Sequence, residues 1–154
     1  MQKTQYTVHI NAPKEKVWDT MLADATYREW TKPFSEGEFG GSYYVGNWEK
    51  DTEMHFIGLD KDGNKMGGMY SRIKENRPYE FISVEHLGMV GPDGVIDTTS
   101  DMVKKWTPAF ENYTFKENDG GTDIFVDMEM SEEFKEMFDA SWPKALQVLK
   151  SMVE

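Results

Sequence analysis

Between Gln2 and Ile10 the chain alternates well enough for a strand, with Tyr6, Val8 and Ile10 on one face. The period then changes. Asn11-Ala12-Pro13 reads as a helix entry: Asn11 or Ala12 can cap, and Pro13 suits a first turn where its missing N–H would have no partner anyway. Val17, Trp18, Met21 and Leu22 follow at one-face spacing, which predicts a helix over Pro13–Leu22. Asp24 can cap a second short helix ending near Trp30, with Pro33 just beyond it.

From Glu38 to Met130 the pattern is strand and turn. Gly40-Gly41, Asp60-Lys61-Asp62-Gly63-Asn64, Asn76-Arg77-Pro78 and Asn118-Asp119-Gly120-Gly121 are turn punctuation. Between them the pattern predicts strands at Ser42–Trp48, Thr52–Leu59, Gly67–Lys74, Tyr79–Leu87, Ala109–Lys116 and Thr122–Met130. The last alternates most clearly, with Ile124, Val126, Met128 and Met130 opposite Asp123, Asp127 and Glu129. Gly88–Trp106 lacks a period and reads as a long loop with one helical turn near Ser100, a candidate gate. After Ser131, Phe134, Phe138, Trp142, Ala145, Leu149 and Met152 make a helical stripe, with Pro143 expected to kink it.

These elements give an α+β expectation: a curved antiparallel sheet of about seven strands gripping a long C-terminal helix, with two short helices after the first strand. A sheet curved around one helix leaves space between the two. The short helices are placed to plug one end of that space, which brings Trp18 and Trp30 to it.

Certain stretches carry a resemblance. I-N-A-P-x-x-x-V-W, D-A-T-Y-R-E-W-T, G-G-S, N-W-E and H-F resemble the START-like helix-grip superfamily, which includes the birch-pollen allergens. Within it the chain is most similar to the family of the activator of the heat-shock-protein-ninety ATPase. Y-E-F-I-S-V-E-H-L-G and W-T-P-A-F-E-N-Y-T-F look like its bacterial stand-alone members. The resemblance covers nearly the whole chain. It implies an apolar cavity between sheet and long helix, and it supplies no universal catalytic residues. Superfamily roles range over lipid carriage, polyketide cyclisation and chaperone activation, so fold alone does not choose among them. The activator proper has an additional N-terminal domain that contacts the chaperone, whereas this chain begins directly at the helix-grip strand. Ligand binding therefore ranks first, a chaperone-type protein partner second, and a cyclase/dehydratase-like enzyme third.

The 154 residues suit one domain, and the formal charge of −11 argues against nucleic acid and anionic membranes as partners. Cysteine is absent, which removes thiol chemistry. No stretch has the character of a signal peptide or membrane span, so a soluble cytoplasmic protein is expected, as monomer or homodimer. No cofactor is indicated. The Asp60–Asn64 run lacks the Gly and Glu that a calcium loop needs, because Lys65 and Ser71 stand at the sixth and twelfth positions. His9, His55 and His86 have no zinc-type spacing; His9 and His55 read as outward. Glu85 and His86 are adjacent on a strand, so only one of them faces the cavity, and both remain open here.

Aromatic residues make up 14% of the chain and there are 11 methionines, which fits a cavity wall as well as a core. The candidate ligand-binding residues are Trp18, Trp30, Phe34, Met54, Phe56, Met69, Phe81, Glu85, His86, Trp106, Tyr113, Met128, Phe134, Phe138 and Trp142. Apolar walls with a few polar groups are the usual make-up of such a site. Tyr113 and either Glu85 or His86 are the polar candidates.

Overall fold

Strands that alternate apolar and polar side chains need cover on one face, and here the last helix provides it. The computed structural model describes residues 1–35 and 39–154. In chain order the elements are β1 (Gln2–Ile10), α1 (Lys14–Leu22), α2 (Asp24–Trp30), a 3₁₀ turn (Lys32–Ser35) and β2 (Phe39–Val45). Then come β3 (Glu53–Asp60), β4 (Lys65–Arg77), β5 (Phe81–Val90), β6 (Ile96–Asp97), α3 (Asp101–Lys104), β7 (Ala109–Asn118), β8 (Gly121–Met130) and α4 (Glu132–Val153). The sheet is antiparallel and curled, in the order β1-β8-β7-β5-β4-β3-β2, with β6 added beside β5. The helix-grip arrangement and the α+β class are therefore as the pattern indicates.

Several boundaries differ from the sequence reading. The stretch Gly88–Trp106 is not all loop: it holds β6 and α3, the latter capped by the Ser100 hydroxyl, which accepts from the Val103 N–H at 3.3 Å. Among the described residues this makes eight strands, β6 being the addition to the expected seven or so. Gly40-Gly41 is not a hairpin turn but part of β2, at a register shift between Phe39 and Gly41. The start of the strand-rich stretch at Glu38 lies outside the described residues. β2 ends at Val45 and does not reach Trp48, because Gly46 and Trp48 have φ of 135° and 63° and take the chain out of the sheet. Gly46 also lies so close to β3 that a Cβ there would fall 2.2 Å from Met54 Sδ. The cap of α1 is Pro13 itself, and Asp24 lies in the first turn of α2, behind Ala23. The α4 backbone stays helical through Pro143.

The core lies between the inner sheet face and α1, α2 and α4. Ile10, Ile73, Ile82, Val84, Ile124 and Val126 from the strands meet Val17, Met21, Ala145, Leu146 and Leu149 from the helices, all buried. On α4 nothing before Ser141 is buried, and Phe134 is 42% exposed. The stripe continues to that residue, but the cover over it does not.

The end of α1 shows why Trp30 is where it is. The last carbonyls of a helix have no intrahelical partner. Here three are taken by side chains: Thr20 C=O by the Thr26 hydroxyl, Met21 C=O by the Trp30 Nε1–H at 2.9 Å, and Leu22 C=O by the Tyr44 hydroxyl. Trp18 serves differently. Its ring packs on Phe115 and Tyr79, with centroids 5.2 and 5.9 Å away.

Candidate functional site

The sheet, the α2 region and α4 leave a gap between them. The inner faces of β3 and β4 contribute Phe56, Gly58 and Met69. The α2 region contributes Tyr27, Trp30, Thr31 and Phe34, and α4 contributes Phe138 and Trp142. Ser42 of β2, Ile57 of β3, and Glu111 and Tyr113 of β7 complete the wall of a cavity of about 170 Å³. The rings brace one another: Phe34 meets Trp142 edge-on at 4.9 Å, Tyr27 meets Trp30 at 5.3 Å, and Tyr113 meets Trp142 at 6.1 Å. Trp142 carries an indole N–H that is buried without a partner among the described residues.

At the inner end the wall turns polar. Glu111 is in phase with Ala109, Tyr113 and Phe115 on β7, so its side chain shares their inward face. The Tyr113 hydroxyl donates to Glu111 Oε2, and Glu111 Oε1 lies 3.2 Å from His86 Nε2. His86 Nδ1 is in turn 2.6 Å from Ser71 Oγ. With a neutral imidazole, Nε2–H donates to the carboxylate and Nδ1 accepts from the Ser71 hydroxyl, so every group in the chain has a partner. That matters because an unpaired buried carboxylate is costly. Glu111 remains 16% exposed, and its carboxylate has more lone pairs than these two donors use.

The order Ser–His–Glu superficially resembles a nucleophilic triad. Two observations argue against that role. Ser71 is fully buried and is not part of the cavity wall. It also sits on Nδ1, while the acid holds Nε2, so the carboxylate and not the hydroxyl is the group presented to the cavity. Glu111 and Tyr113 are the polar pair that a bound molecule can reach. Burial, and next the negative charge of Glu111, hold the phenols of Tyr113 and Tyr27 above their ordinary value of 10. Both therefore stay neutral donors.

The predicted site residues divide by place. Trp30, Phe34, Phe56, Met69, Tyr113, Phe138 and Trp142 wall the cavity. Trp18, Met54, His86 and Met128 are buried but do not line it, although His86 reaches it through Glu111. The choice between Glu85 and His86 falls to His86. Glu85 is half-buried on the outer face, opposite Arg72 of β4. Phe81 also faces outward, with the Arg77 guanidinium 4.7 Å from its ring centre. Trp106 is half-buried just beyond α3, and Phe134 is exposed. These four are corrected as cavity residues: Glu85 and Phe81 are on the outer sheet face, and neither Trp106 nor Phe134 lines the wall.

Glu111, Tyr27, Thr31, Ser42, Ile57 and Gly58 were not among the predicted residues. A signal existed for Glu111 and Gly58, since each is two residues from a wall aromatic on a strand. No such signal marks Thr31, which sits beyond the end of α2 and joins the site through a 2.7 Å hydrogen bond from Ser42.

A larger groove of about 410 Å³ lies elsewhere, beside β1, β7 and β8. It is open, and Lys3, Gln5, Asp127 and Glu129 line it. The smaller cavity is the stronger candidate because it combines aromatic walls with a few convergent polar groups. Among the described residues, no group of three or more His, Asp and Glu is placed to hold a metal ion, and no helix is long and apolar enough to cross a membrane.

No family model and no curated protein matches this chain. Solved structures do. Protein CV1439 from Chromobacterium violaceum superposes with a TM-score of 0.75 at 17% identity, over 99% of this chain and 96% of its own. Protein NE0264 from Nitrosomonas europaea gives 0.73 at 12% identity, over 98% and 93%. ChR145 from Cytophaga hutchinsonii gives 0.68 at 19% identity, over 99% and 94%. At these identities the likeness is one of fold.

Proposed function

We propose that this chain is a binding module of the START-like helix-grip type, related to the heat-shock-protein-ninety ATPase activator family, that holds a compact and mainly apolar molecule between sheet and C-terminal helix. The observation that carries the reading is the aromatic cavity closed at its inner end by Glu111 and Tyr113. The sequence resemblance supports the family relation, and the shared fold supports the helix-grip type.

The cavity also limits the ligand. An apolar cavity of about 150 Å³ accepts a benzene molecule. A space of about 170 Å³ takes one ring with a short arm. A sterol with four fused rings, or a long acyl chain, exceeds that space and would have to project out of it. The ligand is thus a small aromatic or short aliphatic compound, not a membrane lipid.

Gly58 provides the test. It lines the cavity, and a Cβ built there meets only the Gly67 carbonyl, at an ordinary 3.7 Å. Gly58→Leu should fill the space while leaving the fold intact. Calorimetric titration should detect binding of one-ring compounds to the natural chain and none to G58L, with palmitate bound by neither. Palmitate bound in preference to one-ring compounds, or unchanged binding by G58L, would refute the proposal.

A further inference from the structure

We infer that the cavity selects a small organic cation, an amine or ammonium group carried on a single ring or short apolar arm, whose positive end meets Glu111. The inference rests on the ligand-binding reading above and adds the ligand's charge.

Charge balance in the wall is the argument. Glu111 is the one carboxyl lining the cavity, and no lysine or arginine lines it among the described residues. The nearest basic group is His86, which lies behind Glu111 and is not part of the wall. The donors already on the carboxylate leave lone pairs unused, Glu111 lines the cavity, and an ammonium group has donors to fill them. The rest of the wall agrees. Tyr27, Trp30, Phe34, Phe56 and Trp142 are rings whose faces attract cations. A carboxylate ligand would meet the opposite situation: Glu111 repels it and no wall cation compensates. The formal charge of −11 on the chain adds a long-range bias in the same direction.

Three probes of equal ring and similar length separate charge from shape: 2-phenylethylamine, 2-phenylethanol and 3-phenylpropionate. Titration calorimetry on the full chain should rank the amine about tenfold or more above the alcohol, the weight of a charge-assisted hydrogen bond. The carboxylate should bind more weakly than the alcohol. Glu111→Gln should abolish the amine's advantage over the alcohol, read as the ratio of the two affinities within the variant. Equal binding of amine and alcohol, tighter binding of the carboxylate, or an amine preference that survives E111Q would overturn the charge assignment while leaving the cavity as a binding site. If none of the three probes binds, both readings fall. Should E111Q not fold, the ranking of the probes on the natural chain decides alone.

Discussion

Two buried tryptophans that differ in one respect give a sharp prediction. Trp30 and Trp142 are 1% and 2% exposed, and both wall the cavity, their rings 5.9 Å apart. The Trp30 indole donates at 2.9 Å to the Met21 carbonyl at the end of α1, and no backbone N–H bonds that carbonyl among the described residues. The Trp142 indole N–H has no partner among the described residues. Trp30→Phe therefore orphans a buried acceptor, at about 1–3 kcal/mol. The smaller ring adds about 1 kcal/mol of lost packing. Trp142→Phe loses packing too, but it removes an unsatisfied donor, so its net cost should be about 1 kcal/mol or less. In a chain of this length each kcal/mol lowers Tm by roughly 2–4 °C, so W30F should fall by roughly 4–16 °C and W142F by no more than about 4 °C. Urea unfolding followed by far-ultraviolet circular dichroism avoids dependence on the substituted fluorophore. The midpoint should move with an unchanged slope. Equal costs for the two variants would refute the helix-end role of Trp30.

Other parts of the fold make their own predictions. His86→Leu strips Ser71 and Glu111 of their shared partner and should cost about 2–5 kcal/mol in urea unfolding, against about 1 kcal/mol or less for His55→Leu outside the network. His9 and Asp123, 2.6 Å apart, shift in opposite directions: their hydrogen bond raises His9 above 6.5 and lowers Asp123 below 3.8. The His9 contribution is complete below pH 6.5 and is lost as pH rises through its raised value; the Asp123 contribution is complete above pH 3.8 and is lost as pH falls through its lowered value. The stability difference between the natural chain and His9→Gln should be largest between those two pH values and shrink on either side; a difference constant from pH 3 to 9 would contradict this. Gly68 lies so close to β3 that a Cβ would sit 1.7 Å from the Phe56 carbonyl carbon's oxygen, so Gly68→Ala should prise β3 from β4, lower Tm and weaken ligand binding at the Phe56 wall together.

How much of this was readable beforehand depends on the length and regularity of each element. β8 alternates over its whole span and α1 keeps one-face spacing, so both stood out from the pattern. β6 has two residues and α3 has four, too few for any period to register. The Glu85–His86 choice was open because β5 carries apolar residues on both faces, Ile82 and Val84 inward and Phe81 and Leu87 outward. Pairing with β4 and β7 decides it, and pairing is a long-range property. Phe134 failed for a related reason, since a helix pattern shows which side is apolar and not how much of that side is covered. Glu111 is absent from the predicted residues, although its two-residue spacing from Tyr113 on β7 puts it on the same inward face.

The most direct test of the cavity as the binding site is an amide ¹H–¹⁵N titration of the full chain with 2-phenylethylamine. The account predicts shifts concentrated at Thr31, Ser42, Gly58, Glu111 and Tyr113 around the cavity, and their loss in G58L. Shifts centred instead on Lys3, Gln5, Asp127 and Glu129 would place binding in the open outer groove and contradict it.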